Sequence, residues 1–149
     1  MTRAKASGQR VLYVAEPPPA WAAEPPAVVD ASVLAAVLWA EPAAGEARRR
    51  MAGMALHAPT LIVYELANVA RNKRRSGVPD EAARAGLLML TEHKLALHCT
   101  AGEDLYDLAC RHGLTAYDAA YLWLALTLRA PLLTFDQRLA EAVTRAQRR

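Results

Sequence analysis

Ala27-Val28-Val29-Asp30-Ala31-Ser32-Val33-Leu34-Ala35-Ala36-Val37-Leu38 decides the fold. A brief apolar run reads as a buried strand over 27–30, ends in one aspartate, and turns at once into an apolar helix near 31–39. The same grammar repeats along the chain. Pro42 is placed to start a second helix near 42–54, and a short strand follows around 55–58. Pro59 leads into a helix over about 60–75, which Gly77 ends. Pro79-Asp80-Glu81 starts a helix running to about His93, and Leu95–Cys99 is the next apolar strand. Helices near 102–112 and 116–129 are separated by Gly113, Pro131–Phe135 reads as the last strand, and 136–146 as the closing helix. Short apolar strands alternating with amphipathic helices predict an α/β sandwich with a mainly parallel central sheet flanked by helices. In such sheets, sites gather where strands end and helices begin.

Four acids sit in these apolar surroundings. Asp30 closes the first strand, and Glu65 interrupts Leu61-Ile62-Val63-Tyr64-Glu65-Leu66-Ala67-Asn68-Val69. Asp118 lies in Tyr117-Asp118-Ala119-Ala120-Tyr121, and Asp136 follows Leu133-Thr134-Phe135. Each has an ordinary reading: Asp30 and Asp136 as helix N-caps, Asp118 as the acid of a capping box begun by Thr115. Glu65 is the exception, one turn into a helix among Leu61, Leu66 and Val69, where a surface acid is not expected. Two carboxylates 4 Å apart repel by roughly 4 kcal/mol at an effective dielectric of 20. If the fold gathers four, a shared Mg²⁺ or Mn²⁺ reverses that sign, because hard cations take oxygen ligands. The pattern points to a metal-dependent hydrolase.

Composition narrows the field. With 149 residues the chain suits one core, and two cysteines, Cys99 and Cys110, are too few for a disulfide framework and suggest a reducing compartment. Lacking an uninterrupted apolar stretch of about 18 residues or a signal-like apolar centre near the start, the chain is expected to be cytoplasmic and free of membrane. A net charge of +3 permits nucleic-acid binding without requiring it. Residues 1–26, with Ala15-Glu16-Pro17-Pro18 and Ala23-Glu24-Pro25-Pro26, read as an extended arm, in which Val11–Val14 has strand character, preceding a domain over 27–149.

Val28-Val29-Asp30-Ala31-Ser32, Tyr64-Glu65-Leu66-Ala67-Asn68, Tyr117-Asp118-Ala119-Ala120-Tyr121 and Leu133-Thr134-Phe135-Asp136 resemble the four acidic motifs of PIN-domain ribonucleases. Their order and spacing are most similar to VapC toxins of bacterial toxin–antitoxin pairs, over about 27–146; the arm departs from that pattern. The resemblance implies a PIN-like fold, a Mg²⁺- or Mn²⁺-dependent endoribonuclease, an RNA substrate, a homodimer and a small antitoxin that blocks the acidic cleft. On it, Asp30 and Asp118 are the first metal ligands, with Glu65 and Asp136 completing the site directly or through waters.

Other groups are open to two readings. Ser32 and Thr134 beside acids orient ligands or cap helices, and Asn68, one turn after Glu65, bonds a carboxylate or is a plain polar neighbour. Arg71, Lys73, Arg74 and Arg75, like Arg145, Arg148 and Arg149 in the tail, meet RNA phosphates or form a solvated face. Trp39, Tyr121 and Trp123 read as core or subunit-contact residues, and the four histidines have no zinc-ligand spacing. A phosphoacceptor module would want a lysine after a late strand, and the lysines are Lys5, Lys73 and Lys94. A housekeeping RNA-processing nuclease and a catalytically silent RNA-binding domain are the remaining alternatives.

Overall fold

The computed structural model describes residues 23–148; the arm, including Val11–Val14, falls almost wholly outside them. Strand β1 (Pro26–Val29) is followed by α1 (Ala31–Leu38) and α2 (Ala44–Met51), then β2 (Ala55–Pro59), α3 (Ile62–Arg75) and α4 (Asp80–Met89). Next come β3 (Leu95–His98), α5 (Gly102–His112), α6 (Ala116–Leu128), β4 (Leu132–Leu133) and α7 (Gln137–Gln147). The four strands form one sheet in the order β3-β2-β1-β4, and every pairing is parallel. The α/β sandwich expected from the alternation is therefore the observed architecture.

The sheet divides two cores. Val29 faces a cluster built from α1, α2 and α3, with Leu34, Ile62 and Leu66 fully buried. Its neighbour Val28 points the other way, into a cluster with Leu122 and Leu124 of α6 and Leu139 and Val143 of α7. Successive strand residues alternate faces, so two adjacent valines serve both cores. Both are fully buried, as a central parallel strand requires.

Several boundaries differ from expectation, each for a local reason. Helix α2 starts at Ala44, because Pro42 lies in the preceding turn. Helix α3 starts at Ile62 rather than near 60, after Thr60 N–H is donated to the His98 carbonyl. Helix α4 stops at Met89 and tightens into a 3₁₀ turn over Leu90–Glu92 before reaching His93. Strand β4 holds two residues instead of the expected five. The chain leaves the ladder there because Phe135 N–H is donated to Ser32 Oγ and Asp136 N–H to Thr134 Oγ1.

Trp39 is half-buried against α4. Its Nε1 donates to the Ala83 carbonyl at 3.2 Å, and Lys73 Nζ lies 5.5 Å from its ring centroid. Gly86 makes this possible: a Cβ there would sit 2.3 Å from Trp39 Cε2. In the basic run, Lys73 pairs with Glu41 and Arg74 with Asp80, which supports the solvated-face reading for those two. Among the described residues no helix is long and apolar enough to cross a membrane.

Candidate active site

The strand order reverses at β1, which has β2 on one side and β4 on the other. At such a switch point the carboxyl ends of neighbouring strands part and leave a crevice. All four acids stand at helix N-terminal ends on this side of the molecule. Asp30 is the N-cap of α1 and Asp136 of α7, while Glu65 and Asp118 lie in the first turns of α3 and α6. Helix dipoles favour negative charge at those positions. The capping readings of Asp30 and Asp136 are therefore correct, and they place the carboxylates at the crevice.

Asp30 is held most firmly. It is 6% exposed, and it alone among the described charged residues is buried. Its Oδ1 accepts from Ser32 Oγ at 2.6 Å and from Val33 N–H at 3.1 Å, while Oδ2 accepts from Thr134 Oγ1 at 2.5 Å. Three of about four lone-pair positions are thus used, and the carboxylate keeps one for a further partner. Thr134 and Ser32 also take the backbone N–H groups that end β4, so β1 and β4 are tied together through this one carboxylate.

Glu65 is half-buried, and Tyr121 donates its hydroxyl to Oε2 at 2.5 Å. Burial pushes the Glu65 carboxyl above its usual value; the Tyr121 hydrogen bond opposes this, and the charges of Asp30 and Asp118 add to it. Tyr121 itself is raised, first by burial and then by its bond to Glu65. Glu65 thus lies in the electrostatic field of both neighbouring acids. Asp118 and Asp136 border one cavity of about 290 Å³, whose wall also includes Thr115 and Arg138. Thr115 Oγ1 accepts from the Asp118 N–H at 3.1 Å, which is half of the capping box expected there.

Of the three polar neighbours singled out in sequence, Ser32 and Thr134 join the Asp30 network. Asn68 is exposed, and no hydrogen bond among the described residues joins it to an acid. Tyr121 is a core residue, as expected, but it also anchors Glu65, a pairing that its apolar helix conceals. His57 and His98 meet across β2 and β3, Nδ1 to Nε2 at 2.9 Å.

The donor set suits a hard divalent cation. None of the four carboxylates forms an ion pair within 4 Å among the described residues, whereas Glu41, Glu46, Asp80 and Glu141 do. Negative charge is concentrated and uncompensated. Among the described residues no group of three or more His, Cys, Asp or Glu side chains is close enough to hold a metal ion as the side chains stand. Mg²⁺ commonly uses one or two carboxylates and keeps water in its other positions, so it does not need three of these acids at once.

The chain is similar to known proteins. A sequence profile described as the PIN domain matches residues 27–144. Ribonuclease VapC3 of Pyrobaculum aerophilum is 38% identical over 120 residues, covering 76% of this chain and 92% of that protein. Ribonuclease VapC9 of Mycobacterium tuberculosis is 34% identical over 119 residues, covering 76% of this chain and 88% of that protein. The crystal structure of PAE2754 from Pyrobaculum aerophilum is similar in fold, with a TM-score of 0.66 at 23% identity, over 83% of this chain and 93% of that one.

Proposed function

The chain belongs to the PIN-domain family, and from that premise we propose that it is an endoribonuclease dependent on Mg²⁺ or Mn²⁺, the toxin of a toxin–antitoxin pair. The observation that carries the reading is the placement of four carboxylates without ion-pair partners at helix N-terminal ends beside the switch point of the sheet, with Asp30 locked by Ser32 and Thr134. Curated relatives named as VapC ribonucleases support both the RNA substrate and the toxin role.

Asp30 and Asp118 would be the first residues to hold the metal, with Glu65 and Asp136 completing the set directly or through water. When bound, the cation would lower the pKa of a coordinated water and offset charge building on the scissile phosphate. The protein's own part is positional. Ser32, Thr134 and the Val33 N–H fix the Asp30 carboxylate, so its free lone pair has a defined direction. Tyr121 fixes Glu65, and one of the four acids accepts the proton from water. No side-chain nucleophile is required.

The functional unit is residues 27–149, with the preceding arm dispensable for cleavage. The partners are RNA, a second copy of the chain in a homodimer, and a small antitoxin that covers the acidic cleft; the protein works in the cytoplasm. Purified protein incubated with RNA in Mg²⁺ or Mn²⁺ should cleave it, and chelator or Asp30→Asn should stop cleavage. Growth arrest on expression, relieved by the product of a short neighbouring gene, tests the toxin role. Cleavage without arrest would favour a housekeeping nuclease.

A further inference from the structure

The cavity between Asp118 and Asp136 has one cation in its wall, Arg138. Arg138 is exposed at the second position of α7, and among the described residues no carboxylate lies within ion-pair distance of it. Three features bear on its role. A cation in the first turn of a helix opposes the dipole, so it does not serve the helix. Glu141, one turn on, is already engaged by Gln137 and Arg145. Two carboxylates border the same cavity, yet the guanidinium is not drawn into contact with either. Arg49, Arg50, Arg74, Arg84 and Arg145 are paired with acids, while Arg48, Arg71, Arg75, Arg111, Arg129 and Arg138 form no ion pair among the described residues; of these arginines, Arg138 is the one that borders the cavity of Asp118 and Asp136.

We propose that Arg138 receives a phosphate of the RNA chain in this cavity and so sets the strand against the acids. The inference rests on the nuclease reading and names a substrate-binding residue for it. Four carboxylates repel a phosphodiester, and one divalent cation offsets only part of that charge. A guanidinium facing the same space supplies a second cationic contact, and its planar fork matches two phosphate oxygens at once. Thr115, whose hydroxyl oxygen takes the Asp118 N–H, can turn its own proton toward the same cavity.

The test compares the full-length parent with Arg138→Ala and Arg138→Lys, using a labelled single-stranded RNA oligonucleotide. Anisotropy in chelator across a salt series reads binding, and Mn²⁺-dependent cleavage reads KM and kcat separately. Arg138→Ala is expected to weaken binding about tenfold or more, to lower the salt slope by about 0.7, and to raise KM more than it lowers kcat. Arg138→Lys should restore the slope, because the charge returns, but only part of the affinity, because the fork does not. Parent-like binding and KM in Arg138→Ala, with the parent cleaving RNA, would overturn the phosphate contact and leave the nuclease standing. Full affinity in Arg138→Lys would overturn the fork. An Arg138-dependent salt slope in a parent that never cleaves would keep the contact and remove the nuclease reading. A parent that neither binds nor cleaves RNA would remove both.

Discussion

Tyr121, sealed inside α6 at 2% exposure, donates its hydroxyl to Glu65 on α3. The bond joins a core position to a site acid, so packing of the second core determines where that carboxylate points. Tyr121→Phe keeps the ring and deletes the donor. The variant should fold, lose about 1 kcal/mol of stability, and cleave RNA several-fold more slowly. A melting curve beside single-turnover cleavage checks both. Unchanged cleavage would show that Glu65 needs no anchor.

Burial and the charges of Asp30 and Asp118 raise the Glu65 carboxyl above its unfolded value, against the pull of Tyr121. The folded state then binds the proton more tightly than the unfolded one, so this group's contribution is present below the unfolded pKa and is lost as pH rises through the folded one. Metal-free Glu65→Gln should therefore melt roughly 2–4 °C above the parent at pH 7 and lose that advantage in acid. A lower melting temperature at pH 7 would count against the field of neighbouring acids.

His57 and His98 share one hydrogen bond, and burial, then the His98 charge, holds the His57 imidazole below its usual value. The unfolded chain takes up a proton first as pH falls. The stability contributed by His57 is thus complete above about 6.5, the unfolded value, and declines as pH drops toward the folded one. His57→Asn should flatten the acid limb of the stability profile in that window, measured by urea unfolding. A parent and variant with parallel limbs would place the acid sensitivity elsewhere.

Gly86 lies under the Trp39 indole, where any Cβ would collide with the ring. Gly86→Ala should force the indole out and break its bond to the Ala83 carbonyl, costing about 1–3 kcal/mol. Cleavage per folded molecule should persist, since no acid belongs to this contact. Unfolding in denaturant, with activity measured below the transition, separates the two effects.

The strands and the four acids were legible because each strand is a short apolar run and each acid ends one or opens a helix. Asp30 shows this most clearly, with Val28 and Val29 before it and six buried residues after Ser32. What the sequence hid depended on register or distance. Tyr121 reads as core because it is core, and nothing in its own helix betrays Glu65 on another. The His57–His98 pair appears only once β2 and β3 are aligned. The brevity of β4 follows from side-chain acceptors at Ser32 and Thr134, which no strand pattern records. Arg138 gained meaning from the cavity it borders and from the absence of a pairing acid among the described residues.

Mn²⁺-induced melting shifts in the parent and in Asp118→Asn show whether the acids share a divalent cation. Binding to the folded form alone contributes about 2.7 kcal/mol when free metal reaches 100 times its dissociation constant. A shared cation gives a clear upward shift in the parent, little shift in Asp118→Asn, a metal-free mutant at least as stable as the parent, and no RNA cleavage by the mutant. Equal Mn²⁺ shifts in both proteins, with cleavage retained in Asp118→Asn, would contradict it.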